Sequence, residues 1–392
     1  MVMPLAGRII AAVVGGVVVI LTARSVIGTI IVPRPSGSRL IRSVDKAVDA
    51  AYQMATKPIR ENYLTRDRVL ASEAAVILLV QLVAWLGLFF VGFALLLWPF
   101  VAGGIGSAFT TVGPAVWFIG SSETSGIGQR VIEDCAGLTG LVVVTLQIAY
   151  LPTLYSAFNR RETDIALLNA RAGLPSWGPE LLARTHYALG SGSSTINTLP
   201  DLFAQWERFA ADVGESHTTY LPLVRFRSPR PKSSWVTALL SVLDAAALYL
   251  VLSPETAPEV AARLCLRSGF VCLTEIARAM RLKVPEEPDP DKGISLSYED
   301  FLDAVARMRK VDFPIQRPPE QAWPEFVGWR VNYEQAAYAI AYEIDAVPAL
   351  WSGPRRWPYK PIPPIRPSAG RAPKSRGQPV QSGRPSSSAN RR

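Results

Sequence analysis

The stretch that decides the fold is Gly113-Pro-Ala-Val-Trp-Phe-Ile-Gly-Ser-Ser-Glu-Thr-Ser-Gly-Ile-Gly128, because it lies between two long apolar runs. The run before it, 74–102, has 29 residues without a charge, and the run after it, 135–158, has 24. A transmembrane helix needs about 20 apolar residues. Irregular backbone at membrane depth needs surrounding protein or a water-filled path. We therefore predict two spans joined by a re-entrant loop, 103–134, within a transmembrane module covering 71–160.

A third apolar run, Ile9–Val32, is interrupted only by Arg24 and predicts an N-terminal transmembrane helix within 1–33. A cleaved signal peptide is the alternative, because the apolar stretch 9–23 is short. However, the sequence stays apolar over 28–32 and offers no clear Ala-x-Ala cleavage site. The membrane span is therefore the favoured interpretation.

Residues 34–70 are basic, with eight Lys/Arg against four Asp/Glu. Leu40, Ile41 and Val44 recur at helical spacing, which predicts an amphipathic juxtamembrane helix. Such a helix lies either on the membrane surface or against the protein's own soluble domain, and the sequence favours neither. Because basic loops stay on the inner side, we expect 34–70 and everything after 159 to be cytoplasmic. The N-terminus and the loop 103–134 are then outside.

Residues 161–350 predict a helical cytosolic domain. Ser297-Tyr-Glu-Asp300 resembles a capping box at the start of one helix. The run Trp235–Leu252 is apolar except for Asp244 at its middle. A carboxylate at mid-bilayer costs about 3 kcal/mol on insertion scales. We therefore interpret this run as the buried central helix of the domain, with Asp244 paired, and not as a fourth span.

The C-terminal tail, 351–392, has ten Lys/Arg, nine prolines and no acidic residue. Such a composition cannot bury enough apolar surface to offset its ordering entropy, so we predict a disordered tail. The tail accounts for the whole net charge of +9. We expect it to bind anionic lipid together with the juxtamembrane segment 34–70, and we expect no nucleic-acid partner.

The composition also argues against several classes of protein. The chain is 49% hydrophobic and only 19% charged, whereas soluble domains average about 25% charged residues. Three cysteines and two histidines predict neither a disulfide framework nor a metal or cofactor site. The sequence shows no arrangement of a nucleophile beside a base, so nothing in it predicts an enzyme. His217, near Glu215, is either a pH sensor or, as we favour, a hydrogen-bonded structural histidine. The sequence therefore predicts an all-α membrane protein.

Within 113–128, Thr124, Gly126 and Gly128 match the Thr-Val-Gly-Tyr-Gly filter, so this region resembles the pore module of the potassium-channel superfamily. The resemblance is closest to bacterial, especially actinobacterial, two-helix ion-channel proteins with a helical cytosolic domain. Their last span ends in a run matched here by Tyr150-Leu-Pro-Thr-Leu-Tyr155, and the likeness covers about 10–350. It implies a homotetramer in the bacterial plasma membrane that conducts monovalent cations, potassium among them, along a path lined by Thr124–Gly128.

Three departures weaken the resemblance, and one of them is that no Asp follows Gly128. Ser125 replaces the filter valine and Ile127 replaces the aromatic residue, so potassium selectivity does not carry over. Glu123 would either contribute to a ring of carboxylates around the pore or brace the pore helix, which we expect to begin near Pro114.

Pro152 is the expected hinge near an inner gate. The alternatives are a non-conducting scaffold or sensor with a degenerate filter, and a membrane-tethered module whose soluble domain carries the activity.

Overall fold

The computed structural model describes residues 5–32, 38–102, 104–117, 126–187, 196–285, 287–289 and 293–365. Within these residues the chain is all-helical, and the only β feature is an isolated parallel bridge between Ala349 and Ile362. The predicted all-α class is confirmed.

The N-terminal half contains the long apolar helices. Asn62 begins one shorter helix by accepting a hydrogen bond from the backbone N–H of Thr65 at 3.2 Å. Short 3₁₀ turns, Lys57–Ile59 and Trp98–Phe100, follow two of the others. The helices are α1 (Leu5–Ile30), α2 (Arg39–Thr56), α3 (Tyr63–Leu70), α4 (Glu73–Leu97), α5 (Ile105–Val116) and α6 (Ile127–Ala172).

The C-terminal half is a bundle of shorter helices, which together with its closing segment we call the helical domain (the described residues of 161–365). Ser297 and Asp300 form the predicted capping box, in which each side chain accepts from the other's backbone N–H. The helices are α7 (Gly178–Tyr187), α8 (Leu199–Thr219), α9 (Pro222–Arg225), α10 (Trp235–Leu252), α11 (Glu259–Ala279), α12 (Tyr298–Arg309), α13 (Pro319–Arg330) and α14 (Glu334–Glu343).

Four helical stretches are long and apolar enough to cross a membrane: Ala6–Ile30, Tyr63–Phe100, Ile127–Ala172 and Trp235–Leu252. The first three expose large aliphatic side chains, such as Ile10, at 64%. An apolar face of this extent on an isolated chain marks a surface that contacts lipid or protein. These helices support a membrane location.

The fourth stretch, α10, is different because 94% of it is buried inside the protein. Asp244, at its middle, accepts hydrogen bonds from the guanidinium of Arg330 and from the hydroxyl of Tyr333, the latter at 3.0 Å. Arg330 is itself fully buried and also bonds Glu334 at 2.7 Å. The interpretation of α10 as a buried central helix with a paired Asp244 is confirmed.

The structure differs from the sequence prediction around the loop 103–134. Much of this segment is helical, because α5 occupies its first half and α6 begins at Ile127. Pro114 lies in the last turn of α5 and does not begin a helix. Ala108 and Val112, four residues apart, bury one face of α5 and so draw the helix upstream of the predicted start.

The predicted tail is ordered over its first part. Trp351 and Arg355 are buried, and the Arg355 guanidinium donates to the backbone carbonyls of Ala346 and Val347 at 2.6 and 2.8 Å. Disorder from residue 351 is therefore wrong for 351–365, because the arginine finds carbonyl partners that the composition does not reveal. Residues 366–392 lie outside the described part of the chain.

Candidate pore module and its junction with the helical domain

The short helix α5 lies between the long helices α4 and α6. Ala108, Val112 and Val116 recur every four residues and are fully buried on its inner face. At a rise of 1.5 Å per residue, 12 residues extend about 18 Å, well short of the roughly 30 Å hydrocarbon core. α5 therefore has the length of a helix that enters a membrane without crossing it.

Close contacts hold α5 in place on both sides. The rings of Phe90 in α4 and Phe109 in α5 meet edge to face, with centroids 5.2 Å apart. A Cβ added at Gly137 in α6 would lie 3.5 Å from the carbonyl oxygen of Ala115. An added methyl group would make only an ordinary van der Waals contact there, so the backbones of α5 and α6 lie close together at Gly137 without depending on the glycine. α4, α5 and α6 thus form one packed unit, which we call the pore-like module.

The filter-like run falls at the link between α5 and α6. Glu123, Thr124 and Ser125 lie outside the described residues. Gly126 is extended, with φ −157°, and its carbonyl oxygen accepts the backbone N–H of Arg130 at 3.1 Å.

Ile127 and Gly128 already belong to the first turn of α6. Carbonyls of helical residues bond along the helix axis. The structure therefore differs from the filter resemblance over 126–128, where the carbonyls are engaged within α6.

A buried polar pair follows this run on α6. Gln129 and Glu133 are 6% and 3% exposed, and the Gln129 side-chain amide donates to the Glu133 carboxylate at 3.0 Å. The sequence analysis did not single out either residue. The available signal was their spacing of four residues, which places them on one helix face.

One face of α6 carries apolar side chains that none of the described residues covers. They are one to seven residues apart, at intervals that keep them on one side of the helix. Ile127 is the most exposed of them at 87%. We call this surface the α6 stripe, and its members are Ile127, Val131, Leu138, Leu141, Val142, Ile148 and Tyr155.

Pro152, the predicted hinge, is exposed between Ile148 and Tyr155 of the α6 stripe. α6 continues through it for 46 residues in total, although a proline cannot donate to the carbonyl four residues earlier. The same helix therefore extends from the pore-like module into the helical domain. The predicted boundary at 160/161 has no break in secondary structure.

Buried ion pairs join the N-terminal helices to the helical domain. Arg227 lies after α9, and its guanidinium donates to the Asp67 carboxylate of α3 at 2.6 Å. It also donates to the backbone carbonyls of Ile344 and Asp345 at 2.7 Å each. Burial lowers the pKa of Arg227, but nearby Tyr63, Asp67 and Asp345 more than offset this and raise it. The guanidinium therefore stays charged in this site.

A second set of ion pairs fixes α2. Arg225 bonds Asp49 of α2 at 3.2 Å and Glu73 of α4 at 2.9 Å. Arg356 reaches Asp49 at 3.0 Å from the segment after α14. Leu40 and Ile41 pack against the apolar cluster formed by α1, α4, α5 and α6. Of the two positions left open for α2, its described residues pack on the protein.

His217 is completely buried in α8. An Arg161 guanidinium nitrogen lies 2.8 Å from its Nε2, and the Ser216 hydroxyl lies 3.0 Å from its Nδ1. Burial, and then the charge of Arg161, lower the pKa of His217 well below 6.5. Because the guanidinium only donates, Nε2 accepts and the ring is neutral. His217 is a hydrogen-bonded structural histidine.

Reactive groups are scarce in the described part of the chain. No group of three or more His, Cys, Asp or Glu side chains there is placed to hold a metal ion. Burial raises the pKa of the Cys265 and Cys272 thiols in α11, which keeps both protonated. These cysteines pack in the core of the helical domain.

Comparison of the chain with protein-family models, curated proteins and solved structures returns no match. The likeness of 113–128 to a pore loop therefore stays a prediction from the sequence.

Proposed function

We propose that this chain is a subunit of a cation-channel-like membrane protein whose conduction path passes the link between α5 and α6. The observation that carries the proposal is the pore-like module. A helix too short to cross the membrane is packed between two that are long enough. The Thr124-Ser-Gly126 run lies further along the link that follows α5. Monovalent cations are the proposed permeant species.

The α6 stripe supports an oligomer. No described residue of the same chain covers this apolar surface; in a membrane it would face lipid, and in a ring of chains it would face the axis or a neighbouring subunit. The potassium-channel resemblance implies four subunits, that is, a homotetramer. The resemblance implies a bacterial plasma membrane, and a cytoplasmic helical domain is supported by the basic segment 34–70 and by the loop 103–134, whose one basic residue is Arg130.

We assign the helical domain a role in biasing the gate. α6 is continuous from the pore-like module into that domain, so a displacement of the domain would move the helix that carries Pro152. The buried ion pairs of Arg225 and Arg227 would transmit the same displacement to α3 and α4. Rigid elements joined by packed contacts are the physical means by which such coupling travels.

A flux measurement tests the proposal. The purified full chain is reconstituted into liposomes, and potassium, sodium and chloride flux are compared with protein-free liposomes. We expect cation flux above this background. Absence of cation flux at every voltage and pH tested would contradict the proposal.

A non-conducting scaffold or sensor is the second candidate. The observation that favours it is the carbonyl of Gly126, which bonds the Arg130 N–H within α6 and so is not directed at a pore axis. In that case the α6 stripe would serve only for assembly. Detergent-solubilised protein would be oligomeric by mass, and liposomes containing it would show no flux.

A further inference from the structure

A cavity of about 390 Å³ lies where the N-terminal helices meet the helical domain. Gly28 and Thr29, at the end of α1, form one side. Ile77 and Gln81, in the first turns of α4, form another, and Val224 of α9 faces them. The cavity therefore lies at the level where the apolar helices end, which in a membrane is the headgroup region.

Asp45 of α2 is the carboxylate in this cavity that can accept further hydrogen bonds. Its carboxylate accepts one hydrogen bond, from the Gln81 amide at 3.2 Å, and Gln81 is 2% exposed. Among the described residues no Lys or Arg nitrogen lies within 4.0 Å of it. The other two carboxylates in the lining, Asp49 and Glu343, are already held by Arg225.

The burial of Asp45 has an electrostatic consequence. Burial raises its pKa to about 6, although the Gln81 hydrogen bond and the charge of Arg225 act in the opposite direction. Asp45 is half-buried, and a carboxylate in such a position whose charge is incompletely balanced gains from a ligand that brings a cation or further N–H donors.

Basic side chains lie around the same cavity. Lys46 and Arg281 line it and are exposed, and Arg42 lines it one turn before Lys46. Neither Lys46 nor Arg281 has an ion-pair partner among the described residues. The cavity thus presents the half-buried carboxylate of Asp45, exposed basic side chains and the apolar walls of Ile77 and Val224. A purely cationic ligand would be repelled by Lys46 and Arg281, and a purely anionic ligand would be repelled by Asp45.

We propose that this cavity binds the headgroup of a phospholipid that carries both a phosphate and a primary ammonium group. The ammonium pairs with Asp45, and the phosphate lies between Lys46 and Arg281. The position of the cavity at the membrane ends of α1 and α4 favours a lipid over a soluble molecule. This site is independent of whether the pore-like module conducts.

Native mass spectrometry of the detergent-solubilised full chain tests the proposal with two lipids of identical acyl chains, phosphatidylethanolamine and phosphatidylglycerol. At a pH above 7, where Asp45 is ionised, we expect phosphatidylethanolamine to bind about tenfold more tightly. Asp45→Asn should abolish this preference. Asp201→Asn, an exposed carboxylate on α8 that lies outside the cavity, is the matched control.

The basic side of the cavity has its own variants. Lys46→Gln with Arg281→Gln should weaken the binding of both lipids, whereas Arg39→Gln, exposed in the first turn of α2, should weaken neither. Equal affinity of wild type for the two lipids would overturn the proposal. Equally tight binding of free phosphoethanolamine would replace the lipid by a soluble ligand and also overturn it.

A pH titration of the wild type covers the case in which Asp45→Asn does not fold. Protonation of Asp45 below about pH 5 should remove the preference for phosphatidylethanolamine. A preference that persists there would contradict the role of Asp45. The other charged or titratable groups facing the cavity are Arg42, Lys46, Asp49, Tyr150, Arg225, Arg281 and Glu343.

Discussion

The Nε of Arg66 donates to the Oδ2 of Asp345 at 2.6 Å, and both side chains are fully buried. Arg66 lies in α3, immediately before the apolar helix α4, and Asp345 lies in the turn after α14. The pair therefore joins two parts of the chain that are 279 residues apart. Because α3 and the turn after α14 are far apart in the sequence, this ion pair is one of the main contacts that hold α3 on the helical domain.

Breaking the pair from one side should destabilise the protein strongly. Arg66→Met leaves the carboxylate of Asp345 buried without its cation, which typically costs about 3–5 kcal/mol. Asp345 has φ +48°, a conformation that Asn also tolerates. Arg66→Met with Asp345→Asn should therefore recover part of the loss, because the uncompensated charge is gone. Thermal unfolding of the three purified proteins in detergent measures the difference.

An exposed pair provides the control for this experiment. Arg160 and Asp212 are 2.9 Å apart, with side chains 55% and 43% exposed. Arg160→Met should cost about 0–1 kcal/mol, since solvent screens surface pairs. Equal losses for Arg66→Met and Arg160→Met would mean that the buried pair contributes no special stability.

Two adjacent glycines of α1 should respond differently to the same change. A Cβ at Gly15 would lie 2.5 Å from the carbonyl oxygen of Gly92 in α4, whereas a Cβ at Gly16 would meet only the end of the Leu96 side chain at 3.4 Å. Gly15→Ala forces the helix backbones apart, and overpacking of this kind costs about 1–3 kcal/mol. Gly16→Ala gains helix propensity, up to about 1 kcal/mol.

Thermal unfolding in detergent again gives the comparison. The result expected is a lower melting temperature for Gly15→Ala and an equal or higher one for Gly16→Ala. Two variants that behave alike would show that α1 is not held against α4 at Gly15. A close backbone contact would also support a retained α1 over a cleaved signal peptide.

Local signals in the sequence were sufficient to predict the long apolar helices and the burial of α10. Uncharged runs of 29 and 24 residues predict long apolar helices through their length alone. Because a charge at mid-bilayer is costly, the sequence predicted Asp244 to lie inside the protein, and the structure shows it there, bonded to Arg330. These inferences depend on neighbouring residues and need no knowledge of the tertiary fold.

Long-range contacts account for what the sequence could not provide. Arg355 looks like one more basic residue in a proline-rich tail until the carbonyls of Ala346 and Val347 are found around it. Asp45 and Gln81 are 36 residues apart and meet only because α2 packs on α4. The filter-like run itself depends on an assembly of chains, which no pattern within one chain defines.

Glu123 should influence ion selectivity if the pore-like module conducts. A ring of carboxylates near the filter-like run would favour cations over anions, so Glu123→Gln should lower that preference. Reversal potentials under a potassium chloride gradient across planar bilayers measure it. Glu61→Gln removes the same charge from the exposed segment after α2 and is the control. If Glu123 instead braces the module, the variant will lose thermal stability and keep its selectivity.

Removal of the basic tail from residue 366 onward should leave the fold intact. Residues 366–392 carry seven Lys/Arg and no acidic residue, so removing them should weaken binding to anionic liposomes by about 1 kcal/mol per basic residue that reaches the surface. Thermal stability should stay unchanged.

Truncation after residue 350 is the contrasting variant. It also removes Trp351, Arg355 and the Arg356 ion pair with Asp49. The melting temperature should therefore fall as well. If both truncations leave it unchanged, the packing of 351–365 contributes nothing to stability.

His217 should make the protein less stable in mild acid. Its pKa is lowered well below 6.5 in the folded state, so the ring stays neutral there but protonates in the unfolded chain. Below pH 6.5 the unfolded state binds more protons, and stability falls by up to about 1.4 kcal/mol per pH unit. Above pH 6.5 both states are neutral and this contribution is constant.

His217→Gln isolates that effect, because an amide can accept from Arg161 and donate to Ser216 without titrating. Melting temperatures of wild type and variant are compared above pH 7 and near pH 5.5. Asp45, whose pKa is raised from 3.8 to about 6, acts with the opposite sign, since its contribution to stability is lost as pH rises through that range. It is present in both proteins and cancels in the comparison. The variant should lose less stability in acid than the wild type; an identical loss would show that His217 does not titrate on unfolding.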